Sequence, residues 1–330
     1  MHAVDGAPVP AGRLCTQVEL DEMCRPGVEL LHEAIDTRDP EHVRATYERV
    51  VGARAGLVDL MNDWVATVLH HLLDARGPAA MRAALEADHW LELGQRVGLS
   101  LEDTVLAKGV FAQTGEALDQ LGAAVATGAT GDAKAHWDAI DAATLKLHDY
   151  RIDWLTSVLA HVYRTHGVDE LNAAMLRCAH ADWWRERMTG DLERLADPVG
   201  RLTDWAFFLG VGNWGTVSVT ETDEAFVIHH QVCGSCGRQE LRRCHETPVS
   251  FPRVTEPIPG LNFSDPNYTI YRTHLAAWHF VMPIGEVGHP WPAINCSGVP
   301  GRCWFTIYKD PMDTPDWYYE RAGLVKPVAS

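Results

Sequence analysis

The sequence predicts an α+β protein: an N-terminal helical bundle with an internal helical-hairpin repeat, then a C-terminal antiparallel sheet domain with long loops and a metal site. Three observations predict it. Apolar residues recur at spacings of three and four from about residue 16 to residue 200. The period changes to alternation at 216–220 and stays strand-like to His230. A block around Trp64 returns, at an offset of about 90, around Trp154. The expected division is 1–205 for the helical bundle domain and 206–330 for the α+β metal-binding domain.

Residues 1–14, rich in Pro, Gly and Ala, read as a loose tail. Helices are expected over 17–36, 40–75, 77–97, 101–127, 131–165, 168–190 and 191–209. The breakers between them are Asp39-Pro40, Gly77-Pro78, Gly98, the glycines at 128 and 131, and Gly167. Asp39 before Pro40, Ser100 ahead of Asp103, and Asp169 just after Gly167 supply start signals.

The repeat aligns Asp63-Trp64 with Asp153-Trp154, Gly77 with Gly167, Met81 with Leu171 and Leu85 with Met175, without a gap. Each copy therefore reads as one long helix turning at glycine into a second. Two such hairpins can pack with pseudo-twofold symmetry and bury their Trp-bearing stripes. His70, His71, His161, His166 and His180 lie in this half, but no repeated Glu-x-x-His pairs accompany them, so a carboxylate-bridged dimetal centre is not expected. The polar, aromatic stretch 179–187 suits an interdomain surface.

Beyond Asp197-Pro198 the chain reads as a hairpin, 216–220 and 225–230 around a turn at 221–224. A proline-bearing loop over 246–269, a helix over 269–276 and a strand over 278–282 are expected next. A Pro/Gly-rich turn, a last strand over 302–308 and an irregular tail complete the domain. Long ordered loops of this kind are where function tends to sit.

The net charge of −17 disfavours nucleic acid, whose binding relies on Lys and Arg neutralising phosphate, and disfavours anionic membranes. The first residues show no basic stretch followed by an apolar one, and no apolar run approaches the length of a membrane span. A cytoplasmic protein is expected, with a small-molecule substrate or ligand; a homodimer is compatible with this reading. In that compartment eight cysteines read as thiols or ligands rather than disulfides. Twelve tryptophans suit cores and equally the walls of a small-molecule pocket.

The densest chemistry lies in 226–245. Cys233-Gly-Ser-Cys236 lets two sulfurs reach one tetrahedral ion at ~2.3 Å, and glycines at 234 and 237 let the backbone turn around it. Cys244 and His245 follow. The expected Zn²⁺ ligands are Cys233 and Cys236 with one or two of Cys244, His274 and His279; His289, Cys296 and Cys303 are further candidates for closing the site. Another transition metal would also suit these donors. His229 and His230 point to opposite faces of a strand, and parity with Phe226 and Ile228 turns His230 inward. His230 and Glu286 are the expected acid–base groups, with His245 and His289 also at hand, and Cys303 is a candidate nucleophile. A Walker A loop, G-x-G-x-x-G, H-E-x-x-H and G-x-S-x-G are all absent.

The turn at 233–238, Cys-Gly-Ser-Cys-Gly-Arg, and the strand at 303–309, Cys-Trp-Phe-Thr-Ile-Tyr-Lys, resemble those of an uncharacterised bacterial two-domain family with a helical N-terminal half. More distantly, Tyr271-Arg272-Thr273 and the late Cys-aromatic strand resemble L-2-amino-thiazoline-4-carboxylate hydrolase-like proteins. The second resemblance implies the opening of small carbon–nitrogen or carbon–sulfur rings, hence a hydrolase. The expectation is a zinc-dependent enzyme, hydrolase or lyase, using metal-activated water or thiolate chemistry in a cleft between the domains. The alternatives are a small-molecule-binding protein with a structural zinc, and a CxxC dithiol redox protein.

Overall fold

A computed structural model describes residues 12–87, 90–99, 108–246, 249–296 and 301–328. The tail predicted over 1–14 falls mostly outside the described residues, and so does the Ser100 start signal.

The N-terminal half is helical, and the repeat governs it. Helix α3 (Pro40–Arg76) and helix α7 (Thr130–His166) are each 37 residues long and lie 90 positions apart. Between them come α4 (Pro78–Ala87), α5 (Trp90–Val97) and α6 (Lys108–Ala126); α7 leads into α8 (Val168–Ala179). Both long helices stop at a glycine of nearly the same conformation, Gly77 at φ 85° and Gly167 at φ 88°, where a Cβ would be strained. Asp39 caps α3 by accepting from the Glu41 amide at 3.0 Å. Asp169 makes no such cap; α8 begins at Gly167 without a side-chain acceptor.

Three predicted helices are shorter or broken. The 17–36 segment divides into α1 (Gln17–Met23) and α2 (Gly27–Asp36), because Pro26 has no N–H to continue the ladder. The 168–190 segment breaks at His180, where α8 ends, and restarts as α9 (Asp182–Leu192). The span 191–209 is not one helix: α9 ends at Leu192, and α10 (Pro198–Phe207) starts afresh, capped by Asp197 and followed by a π turn over Phe208–Gly212.

The sheet has four strands, all antiparallel: β1 (Thr216–Glu221), β2 (Ala225–Val232), β5 (Ala293–Cys296) and β6 (Cys303–Tyr308), in the order β1-β2-β6-β5. A separate two-residue pair joins β3 (Arg253–Val254) to β4 (Tyr268–Thr269). The predicted strand over 278–282 is helical instead. A 3₁₀ turn (Ile270–Thr273), an α turn (His274–Ala276), a π turn (Ala277–Val281) and a further α turn (Met282–Val287) follow one another. This segment is apolar on every side because it is buried on every side: Ala276 to Phe280 are all within the core. A short apolar run cannot be assigned to strand or helix by period alone.

The two halves share one core. A single connected cluster holds Trp64, Leu155 and Met175 of the bundle together with Trp278, Phe305 and Ile307 beyond residue 205. Trp64 packs against Tyr271, His274 and Trp278 with ring centroids 4.3–5.6 Å apart. Trp278 in turn donates from its indole to the Met175 carbonyl at 3.3 Å. Among the described residues no helix is long and apolar enough to cross a membrane.

Candidate functional site

The two copies of the repeat serve the site differently. In the first, Asp63 is exposed and Trp64 is a buried wall residue. In the second, Asp153 is fully buried and acts as a hub. It accepts from Arg96 at 2.6 Å, from Gln239 at 3.0 Å, and from both terminal nitrogens of Arg242 at 2.8 and 3.0 Å. One turn earlier Asp149 takes a bidentate pair from Arg238 at 2.9 and 2.8 Å. Burial pushes the Asp149 carboxyl up, but the Arg238 bonds, His148 and Arg242 outweigh that and hold it well below the usual carboxylate range. These carboxylates clamp α11 (Cys236–Leu241), the helix that follows the Cys-Gly-Ser-Cys turn.

The turn itself is fitted closely. The Cys233 amide donates to the Gly301 carbonyl at 2.9 Å, and the Gly301 amide donates to Glu240 Oε2 at 2.6 Å. At Gly234 a Cβ would stand 1.4 Å from the Asn213 carbonyl oxygen, so only glycine fits. Ser235 Oγ donates to Asn213 Oδ1 at 2.8 Å, and His148 Nε2 meets the same oxygen at 2.9 Å. Since that oxygen only accepts, His148 carries its proton on Nε2.

Four cysteines meet here. Cys233 and Cys236 come from the turn; Cys296 and Cys303 lie directly opposite each other on β5 and β6, with sulfurs 2.9 Å apart. Cys233 and Cys303 line the same cavity as Cys236 and lie close enough to donate to it when it is ionised. Arg272, buried in the 3₁₀ turn, adds a guanidinium Nε donor at 3.2 Å. The hydrogen bond from Cys233, then that from Cys303, outweigh burial and, with Arg272, hold the Cys236 thiol well below its ordinary value. Its two thiol neighbours pay the converse: Cys233 and Cys303 are both held well above theirs by donating to it and by burial. All eight cysteines are free.

Arg272 keeps one donor in hand. Glu240 lies 3.6 Å from its Nη2, beyond hydrogen-bond range, and Nη2 has no other partner. That nitrogen shares an edge of the planar guanidinium with the Nε that holds the Cys236 sulfur.

Cys233, Cys236 and Cys303 line a cavity of about 80 Å³. His230, His274, His279, Tyr271 and Arg272 supply its remaining polar lining with Asn213 and Ser235, and Trp64, Trp184, Trp205, Phe208 and Trp278 its aromatic walls. Burial lowers His230 to about 4, His274 to about 4 and His279 to about 3, so all three are neutral at pH 7. His274 Nδ1 sits 2.6 Å from the Tyr271 carbonyl and His279 Nδ1 sits 2.5 Å from the Trp291 carbonyl. Carbonyls only accept, so Nδ1 bears the proton in each and Nε2 is left with its lone pair. Neither nitrogen of His230 has a partner. A second, wider pocket of about 320 Å³, whose lining includes Arg187, Asp191 and Arg194, shares the wall residues Trp184, Trp205 and Phe208 with the inner cavity and is called the vestibule.

The structure gathers some of the predicted site residues and disperses others. Cys233, Cys236, His274 and His279 of the predicted metal set line the cavity, and so do His230 and Cys303 of the predicted catalytic set. Cys244 does not. It packs with Val58, Leu147, Tyr150 and Phe251 in a separate core cluster, and burial there pushes its thiol up to about 11. Glu286 does not either: it is held at the surface by Arg185 at 3.2 Å and His180 at 3.6 Å. His245 Nδ1 donates to the Phe251 carbonyl at 3.1 Å and His289 Nδ1 to that of Pro290 at 3.0 Å, both outside the cavity lining. Among the described residues no group of three or more His, Cys, Asp or Glu side chains is placed to hold a metal ion. Arg272 had no assigned role in the motif reading, and Cys296 was named only as a further candidate for closing the metal site. The signal for Arg272 was present as a polar run, Tyr271 to His274, inside an otherwise apolar segment.

No protein-family model, curated protein or solved structure matches the chain.

Proposed function

We propose that this chain is a small-molecule hydrolase or lyase in which the Cys236 thiolate is the nucleophile. The observation that carries the reading is the Arg272 guanidinium bound to Cys236 at 3.2 Å in the wall of an aromatic cavity whose histidines are neutral. A thiolate attacks; a thiol does not. Arg272 Nη2 is the group to stabilise negative charge developing on the attacked centre, since it is a buried donor without a hydrogen-bond partner, the Glu240 carboxylate standing 3.6 Å away. The Nε2 lone pair of His274 or His279 takes the proton of the water that then attacks the Cys236 adduct. The inner cavity is smaller than the ~150 Å³ void that accommodates benzene, so only a small reactive group enters it, and the remainder of the substrate occupies the vestibule.

The test is a small electrophile that mimics such a group. Incubation with 2-chloroacetamidine followed by peptide mass spectrometry should place the adduct on Cys236 before any other cysteine. Labelling spread evenly over the eight thiols would remove the basis of the reading.

A zinc enzyme is the second reading, and the tethered rings favour it. Imidazoles whose Nδ1 is tied to a carbonyl are the usual form of a metal-ligating histidine, and His274 and His279 have it beside three thiols. Zinc there would activate water or hold a sulfur. Elemental analysis of protein purified without added metal, giving one zinc per chain that is lost in Cys236→Ser, would support it over the metal-free thiolate.

A further inference from the structure

A single nucleophile leaves the other three cysteines of the cluster without a task. Their arrangement is ordered from inside to outside. Cys236 and Cys233 are buried at the cavity; Cys303 is buried beside Cys236 in the cavity lining and hydrogen-bonds Cys296; Cys296 is partly buried at the end of β5. Cys303 is thus the bridge between a cavity thiol and a thiol outside the cavity lining, on the neighbouring strand. Sulfurs already in contact need little rearrangement to exchange partners, and exchange proceeds by in-line attack of one sulfur on a neighbouring disulfide.

The cavity adds a second constraint. Its ~80 Å³ is about the share of liquid volume of two or three waters, which suits a peroxide oxygen pair. The unpartnered Nη2 of Arg272 stands on the guanidinium edge that holds the Cys236 sulfur, where it can take the oxygen next to the one attacked.

We propose that Cys236, Cys303 and Cys296 form a thiol relay that reduces a small hydroperoxide in the cavity and carries the oxidised state to Cys296, where a soluble dithiol removes it. This rests on the reading of Cys236 as the nucleophile, the sulfur that Arg272 holds in the cavity wall at 3.2 Å, and it adds a redox activity to that site. In the first step the Cys236 sulfur attacks the terminal oxygen of ROOH. An S–O bond forms, the O–O bond breaks, and the alkoxide takes the proton of the Cys233 thiol and leaves as ROH. In the second step the Cys233 thiolate takes the Cys303 proton and the Cys303 thiolate so formed attacks the Cys236 sulfenic acid; the S–S bond forms and the hydroxide leaves as water with the proton that Cys233 returns. In the third step Cys296 attacks Cys303 and expels the Cys236 thiolate, and the proton Cys296 gives up restores Cys233. The sum is two thiols oxidised to a Cys296–Cys303 disulfide and ROOH reduced to ROH and water. A soluble dithiol then reduces that disulfide by exchange and is itself oxidised.

The test treats the reduced, full-length protein with one equivalent of hydrogen peroxide, counts remaining thiols and locates disulfides by peptide mass spectrometry. The expected result is loss of two thiols, a Cys296–Cys303 disulfide, and continuous peroxide consumption when dithiothreitol is supplied. Cys303→Ser should stop at a sulfenic acid on Cys236, trapped by dimedone, and Cys296→Ser should stop at a Cys236–Cys303 disulfide. Oxidation of Cys296 and Cys303 at an unchanged rate in Cys236→Ser would overturn the relay, as would peroxide consumption no faster than that of free cysteine. If peroxide leaves the thiols intact while 2-chloroacetamidine still labels Cys236 first, the relay fails and the nucleophile stands. If both reagents ignore Cys236, both fail.

Discussion

Arg272 Nε lies 3.2 Å from Cys236 Sγ, and the two residues arrive there from segments 36 positions apart, one on a 3₁₀ turn and one at the start of a short helix. A buried guanidinium and a buried thiol stabilise each other only as an ion pair, because each charge alone would be costly to desolvate. Glu240 stands 3.6 Å from Arg272 Nη2, and its other oxygen accepts from the Gly301 amide. The pair is therefore built into the joint between the Cys turn and the last hairpin.

Removing the positive charge should show directly in thiol reactivity. Arg272→Met keeps the bulk of the stem and deletes the donor. Its Cys236 should alkylate at pH 7 at least about tenfold more slowly than wild type, as a thiol whose ionised fraction has fallen by a pH unit or more would. An unchanged rate would show that the thiol donors Cys233 and Cys303 suffice alone.

The buried histidines make stability depend on pH with a definite sign. In the unfolded chain each would titrate near 6.5, whereas burial lowers His230 and His274 to about 4 and His279 to about 3. Below pH 6.5 the unfolded state therefore takes up protons that the folded state refuses. Stability is lost as pH falls from about 6.5 towards 4, by on the order of 3 kcal/mol for each ring at full effect. Urea melts at pH 7 and pH 5 should show a lower midpoint at pH 5, and His230→Phe, which fills the site without a titrating group, should flatten the difference.

Asp153 tests whether the repeat supports the site. Asp153→Ala leaves Arg96, Arg242 and Gln239 around an empty acceptor, and losing one side of a buried ion pair costs about 3–5 kcal/mol. Denaturant unfolding measures that loss. The matching change in the other copy, Asp63→Ala, removes an exposed carboxylate and should stay within about 0.5 kcal/mol of wild type.

Gly234→Ala is a steric test of the turn. The added Cβ would fall 1.4 Å from a backbone oxygen, so the chain must move. A loss of about 3 kcal/mol or more is expected, with a fall in the selectivity of Cys236 labelling as the turn loosens.

Much of this was legible from residues alone, for physical reasons that differ between segments. The repeat was readable because helix period and glycine stops are local properties, and α3 and α7 match in length to the residue. The inward turn of His230 followed from strand parity with Phe226 and Ile228, and the register opposes it to Cys303. The strand predicted over 278–282 was not distinguishable from a helix buried on all sides. Cys244 looked like a ligand because it is close in sequence to Cys236, but Phe251 and Tyr150 enclose it in another cluster. Cys296, seven residues before Cys303, was hard to pair because β5 is only four residues long and gives almost no alternation to read.

The central claim, that Cys236 is a thiolate at neutral pH, is tested most directly by its alkylation rate as a function of pH. Iodoacetamide labelling followed residue by residue with mass spectrometry from pH 5 to pH 9 should show Cys236 reacting at a nearly constant rate, while Cys15, Cys24 and Cys244, whose thiols burial pushes to about 11, stay almost unlabelled. A Cys236 rate that rises about tenfold per pH unit through neutrality, as an ordinary thiol's does below its pKa near 8.5, would contradict the account.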